Sequence, residues 1–169
     1  MADKKDPNAE RVNIMYAPVN LDYTFTASDH TSMFLSAIKE GQFLGSQVKD
    51  GSPVYVPPRP VCPETGLPAL NMVTLPDTGK VHWFTIVHIP IPHNPIKPPF
   101  VVANILLDGA DITFLHLISG CENEDIEMGM RVKAVWKPES ERTLSPANIH
   151  FFAPIDKAEA LSDALANKE

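Results

Sequence analysis

The chain has 169 residues, 44% of them hydrophobic and 21% charged, enough for one well-buried core and short for two. Seventeen prolines beside eight glycines, roughly twice the usual proline share, exclude a mostly helical protein, and the apolar content excludes the disorder that proline excess can also signal. A formal net charge of -7 argues against a partner held by its phosphate backbone, and two cysteines, Cys62 and Cys121, make no disulfide framework, which points to a reduced compartment.

No apolar run approaches the length of a membrane span, and the charged first thirty residues hold no apolar stretch of a secretory signal, so a cytoplasmic protein is expected. Residues 1–27 lack helical periodicity and read as an N-terminal arm, either extended against a partner or loosely held. Residues 28–41 read as a helix. Ser28 serves as N-cap, Asp29 complements the positive end, Phe34, Ala37 and Ile38 share a face, and Gly41 supplies a left-handed stop. Residues 42–76 break into proline-rich turns around Pro57-Pro58-Arg59-Pro60-Val61-Cys62-Pro63, a small knuckle holding at most short edge strands such as Val54-Tyr55-Val56.

Beyond Gly79 the pattern turns to strands. They are expected at 80–89, 100–107, 111–118, 131–136 and 148–153, the second and third joined across Asp108-Gly109-Ala110, with an Ala-rich peripheral helix over 157–167. Five short strands, with a long proline-stiffened excursion at 90–99 between the first two, point to a small antiparallel barrel of the oligonucleotide/oligosaccharide-binding (OB) type, although strand count alone leaves sandwiches open.

Chemistry-bearing residues are sparse. Of the histidines His30, His82, His88, His93, His116 and His150, His82 and His88 on one strand stand roughly 20 Å apart at about 3.4 Å per residue, too far to share an ion. His88 with His93, or His82 with His116 across strands, stay open, but no His-Glu-x-x-His or Cys-x-x-Cys spacing supports a metal. Cys62 in its proline-stiffened turn, or Cys121 with His116 five residues before it, is a weak nucleophile pattern, and no phosphate loop, dinucleotide fingerprint or nucleophile elbow is present. Glu122, Glu124, Asp125 and Glu127 could gather a hard cation, but a solvated turn between strands explains them more cheaply. Trp83, Phe84 and Phe114 could stack on bases, yet only Lys80 accompanies the first two, so core packing is the expected role.

The order of motifs resembles the DUF35 family: the helix ending Glu40-Gly41, the Val54 to Pro63 segment, Gly79-Lys80-Val81-His82-Trp83-Phe84, Pro99 to Gly109, and Met128-Gly129-Met130-Arg131-Val132. The resemblance covers roughly residues 28–155. It implies a mainly β chain: a rubredoxin-like zinc ribbon over 42–76, an OB-fold over 77–155 and a C-terminal helix or tail over 156–169. Family members usually place two Cys-x-x-Cys pairs around the Pro-Pro-Arg. Here those positions fall on Val48-Lys49-Asp50-Gly51 and Cys62-Pro63-Glu64-Thr65, so the ribbon is expected to be degenerate and metal-free, because a tetrahedral zinc needs four ligands.

What the resemblance implies for function is a partner subunit. The chain would be a non-catalytic companion of a thiolase-like enzyme (thiolase, acyltransferase or steroid side-chain aldolase), with no cofactor of its own, completing an acyl-CoA channel in a complex of perhaps two copies with two large subunits. Arg59, Lys97 and Lys80 are the cations expected to meet CoA phosphates. Two alternatives stand beside this reading: a single-stranded nucleic-acid-binding OB module, and a stand-alone enzyme acting on a CoA thioester.

Overall fold

The computed structural model describes residues 15, 17, 21–90 and 94–166. Most of the apolar patch at 12–19, the loop residues 91–93 with His93, and the chain's last three residues lie outside them. Residues 21–28 carry no regular structure and expose Leu21, Tyr23 and Phe25.

Helix α1 spans Asp29–Lys39. Its first turn is capped by the Ser28 hydroxyl, which accepts from the Thr31 N–H at 3.4 Å. At its end the Gly41 and Gln42 N–H groups return to the Ile38 and Ala37 carbonyls, a paired closure that needs the positive φ of 76° at Gly41. Phe34 and Ile38 are buried, while His30 turns its ring to the Ala69 carbonyl at 3.3 Å.

The stretch expected to hold only short edge strands forms two five-residue strands instead. Strand β1, Phe43–Gln47, pairs antiparallel with β2, Asn71–Leu75. Tyr55 contributes only an isolated bridge to Ser46 on the other edge of β1. The prolines between the two strands delete ladder donors in the connection and leave the strands free to pair.

Strands β3 (Thr78–Val87), β4 (Phe100–Leu107), β5 (Phe114–Ile118), β6 (Arg131–Trp136) and β7 (Ile149–Pro154) close a barrel in the order β3-β4-β5-β7-β6, the connectivity of an OB-fold. The barrel is mixed rather than purely antiparallel, because β5 meets β7 in parallel through Ile118 and Phe152. Strand β4 alternates cleanly, with Val101, Ala103, Ile105 and Leu107 inward. Strand β3 changes phase: a bulge at His82 turns Val81 inward and both His82 and Trp83 outward, after which Phe84 and Ile86 face in. Trp83 is therefore half exposed, contrary to its expected core role, whereas Phe114 is buried as expected.

The third barrel strand starts at Phe114 rather than Asp111 because Asp111 is used elsewhere. Its carboxylate accepts from the Val54 N–H at 2.8 Å, and its own N–H donates to the Val54 carbonyl at 3.0 Å. This tie fastens the knuckle to the β4–β5 turn. Helix α2, Ile155–Ala166, is less peripheral than expected. Ala158, Leu161 and Leu165 pack with Val135 of β6 and Ala153 of β7. Among the described residues no helix is long and apolar enough to cross a membrane.

One apolar core runs through α1, the β1–β2 pair and the barrel. Phe43 of β1 is fully buried among Phe114, Trp136 and Phe152, with ring centroids 5.2–6.1 Å away. Such tilted and edge-on contacts suit the quadrupoles of the rings.

Candidate functional site

Two regions carry polar chemistry beside the barrel: the knuckle that follows β1 and a trough along β5 and β7. The knuckle is held by short backbone bonds. The Cys62 N–H donates to the Leu67 carbonyl and the Gly66 N–H to the Cys62 carbonyl, both at 2.9 Å, and the Ala69 N–H reaches the Pro60 carbonyl at 3.0 Å. Within it Cys62 is buried, with its Sγ 3.5 Å from the Tyr55 hydroxyl. Hydrogen bonds from Thr65 and Tyr55 to the sulfur bring the Cys62 thiol down to about 7. The same contact, together with burial, pushes the Tyr55 phenol up to about 12, as expected when the phenol donates toward a thiolate.

These residues do not fit a ribbon zinc. Of the four implied positions only Cys62 offers a soft ligand, against Val48, Gly51 and Thr65. Among the described residues no group of three or more histidine, cysteine, aspartate or glutamate side chains could hold an ion. The space between the knuckles is served by hydrogen bonds. Asp50 accepts from Asn71 at 3.0 Å, and Ser46 Oγ contacts both the N–H and the carbonyl of Arg59 at 2.8 Å.

The three cations expected to meet phosphates lie on separate elements. Arg59 is exposed on the knuckle, its guanidinium 5.6 Å from the centre of the Tyr55 ring. Lys80 is exposed on β3 opposite Arg131 of β6 and lowers the pKa of Asp108, so part of its field is already matched. Lys97 is exposed in the β3–β4 loop.

The trough was not foreseen from the sequence. Below the single Ile118 and Phe152 pairing, β5 and β7 part, and the β3–β4 and β6–β7 loops flank the gap. These are the loops with which OB-folds grip ligands. A hollow of about 500 Å³ is lined here by Ile96, His116, Leu117, Lys137, Ile149 and His150. It shares Ile96, Leu117 and His150 with a second hollow of about 230 Å³ that continues toward Phe100 and Phe151. Loop order supports this wall: the Asn94 side chain accepts from the Ile96 N–H at 2.9 Å, and Arg142 donates to the Lys137 carbonyl at 2.8 Å while stacking 5.7 Å from Trp136.

His116 takes an inward position on β5, stacked on Phe114 with centroids 5.9 Å apart and edge-on to Phe152. Its Nδ1 is buried and makes no hydrogen bond. Burial pushes the imidazole below its usual pKa range, partly offset by the Leu117 backbone, with a lesser downward push from His150. The signal that could have found it was the alternation Phe114, His116, Ile118, which seats a histidine among core positions.

The other candidates do not assemble. His82 and His88 are exposed on β3 and just beyond it. Cys121 is half-buried with its thiol pushed up by burial, the opposite of an activated nucleophile. The acidic run from Glu122 to Glu127 is exposed around a 3-10 turn at Asn123–Asp125, and Ile126 alone points into the core.

Comparison with known proteins agrees with this geometry. The pattern described as ChsH2, C-terminal OB-fold domain, matches residues 72–137. A DUF35 domain-containing scaffold protein of Methanocaldococcus jannaschii is 33% identical over 96 residues, covering 56% of this chain and 67% of that one. Among solved structures, the Ltp2-ChsH2(DUF35) aldolase superposes with a TM-score of 0.58 at 24% identity, over 78% of this chain and 98% of the other. A DUF35-family protein of unknown function from Sulfolobus solfataricus gives 0.52 at 19%, over 64% and 77%. On its sequence and its barrel alike, the chain belongs to the DUF35 family.

Proposed function

We propose that this chain is a non-catalytic OB-fold subunit of a thiolase-like acyl-CoA enzyme complex, where it braces the catalytic subunit and completes the channel for the acyl-CoA. The observation that carries the reading is the 33% identical relative named a scaffold protein. It agrees with the described residues, among which no group of three or more histidine, cysteine, aspartate or glutamate side chains could hold an ion and the Cys121 thiol is pushed up by burial. The Ltp2-ChsH2(DUF35) aldolase couples a DUF35 chain to a second protein in an enzyme, and the same arrangement is proposed here. The complex works in the cytoplasm, in keeping with two unpaired thiols. The chain binds no cofactor of its own, and the acyl-CoA is the substrate of the complex.

Within that reading Arg59, Lys97 and Lys80 supply cations for the CoA phosphates, each from its own element, and the knuckle and the β3–β4 loop face the partner. Co-expression with a thiolase-like protein encoded beside this chain tests the assignment. The expected result is co-purification as a stable hetero-oligomer of two plus two subunits, with turnover of an acyl-CoA by the pair and none by this chain alone. Failure to associate, or acyl-CoA turnover by the isolated chain, would refute it. Strongly salt-dependent binding of single-stranded DNA would favour a nucleic-acid role instead.

A further inference from the structure

We infer that the trough between β5 and β7 is a binding site on this chain for a long-chain carboxylate, with the hydrocarbon lying along Phe100, Ile96, Leu117 and Ile149 and the carboxylate at Lys137 and His150. The proposal deepens the acyl-complex reading, on which its choice of an acyl-type ligand rests, but its test uses this chain without a partner.

The lining, the size and the charge of the trough support it. The trough is walled by apolar side chains over most of its length, and its two joined hollows of about 500 and 230 Å³ match the size of small-molecule sites, roughly 300–1,000 Å³. An extended alkyl chain suits a trough better than a compact head group does. Charge complementarity then fixes the direction of the ligand. Lys137 lines both the larger hollow and its continuation toward Pro138, whereas Phe100 and Phe151 stand at the opposite end and His150 borders all three hollows. Glu141 also borders the Lys137 end, so the site takes a single carboxylate rather than a polyanion.

The probe is cis-parinarate, a fluorescent long-chain polyene carboxylate, titrated into the purified full-length chain. Saturable one-to-one enhancement is expected, and competing carboxylates should displace the probe with affinity rising steadily from octanoate to palmitate, because each buried methylene adds to transfer from water. Ile96→Asp, at an exposed loop position, should abolish the enhancement, and Ala147→Trp should do so by filling the larger hollow, which Ala147 also lines. Lys137→Glu should weaken the acid about fivefold and leave its methyl ester unchanged. Circular dichroism melts confirm that each variant is folded. Absence of saturable binding by the wild-type chain, or undiminished binding by folded Ile96→Asp and Ala147→Trp, would overturn the proposal. Co-purification with a thiolase-like partner in the face of that result would leave the subunit assignment standing and remove the site alone.

Discussion

Replacing Phe43 by alanine tests whether ribbon and barrel are one cooperative unit. Phe43 lies on β1, outside the barrel, yet it is fully buried and its ring meets Phe114 of β5, Trp136 of β6 and Phe152 of β7. Truncating a buried phenylalanine costs about 3–5 kcal/mol through lost transfer energy and residual cavity. Three ring contacts place this site in the upper half of that range, at about 4 kcal/mol. For a chain of this size that corresponds to a fall in Tm of roughly 8–16 °C, a large part of a typical folding stability. Phe43→Leu, which keeps most of the volume, should cost about 1.5 kcal/mol or less. Urea denaturation followed by tryptophan fluorescence and far-ultraviolet circular dichroism provides the assay. Trp136 touches the mutated ring, so its emission reports the site, and the dichroism reports the strands. Coincident transitions displaced together are expected. A loss below about 1 kcal/mol, or a barrel transition left in place while a separate ribbon signal moves, would show that the aromatic cluster does not join the two parts.

Other consequences can be measured alongside. Asp108 is held at about 2 by a bidentate Arg131 pair at 2.6–2.7 Å, with Thr78 assisting. Because the folded pKa is depressed, this stabilisation is complete above the ordinary aspartate value near 4 and is lost as pH falls toward 2. Both partners are substantially exposed, so solvent screening reduces the contribution to about 1 kcal/mol. Arg131→Gln should flatten that part of the acid limb in denaturation curves taken between those values. Gly79→Ala would set a methyl 2.6 Å from the Leu106 carbonyl oxygen and 3.0 Å from the Leu107 Cα, so a backbone shift in the β3–β4 pair and a loss of about 2 kcal/mol are expected in thermal melts. In the knuckle, metal analysis should find zinc well below one equivalent and chelator should leave the Tm unchanged. Tyr55→Phe should move the Cys62 thiol upward in pH-dependent alkylation. Stoichiometric zinc, or a melt that collapses with chelator, would contradict that account.

The barrel was legible because its strands carry their own periodicity. Phe100 to Leu107 alternates inward and outward without interruption, and Asp108-Gly109 marks the turn, with Gly109 at a φ of 85°. The helix from Asp29 was equally clear from Ser28 and Gly41. The sequence reading failed where tertiary partners decide. Phe43 to Gln47 falls in a stretch that reads as turns with at most short edge strands until Asn71 to Leu75, more than twenty residues on, pairs with it. The bulge at His82 reverses the phase of β3, which no local pattern announces, and so Trp83 was assigned to the wrong side. The trough stayed hidden for a similar reason. Ile96, Leu117, Lys137 and Ile149 belong to two strands and two loops, and only barrel closure sets them along one wall.

The continuity of the core from α1 to β7 also sets an order of events during synthesis. Phe34, Ile38 and Phe43 leave the ribosome early, but the rings that cover Phe43 come from Phe114, Trp136 and Phe152, about seventy to a hundred and ten residues later. Barrel closure waits for the same segments, since Thr78 to Lys80 of β3 pair with Arg131 to Lys133 of β6. Sequence-distant pairings of this kind slow folding and leave apolar surface uncovered meanwhile. A growing chain of this protein therefore carries an aromatic ribbon with nothing to pack on until its C-terminal third appears, an interval in which chaperones or a pre-assembled partner would have the most effect on yield.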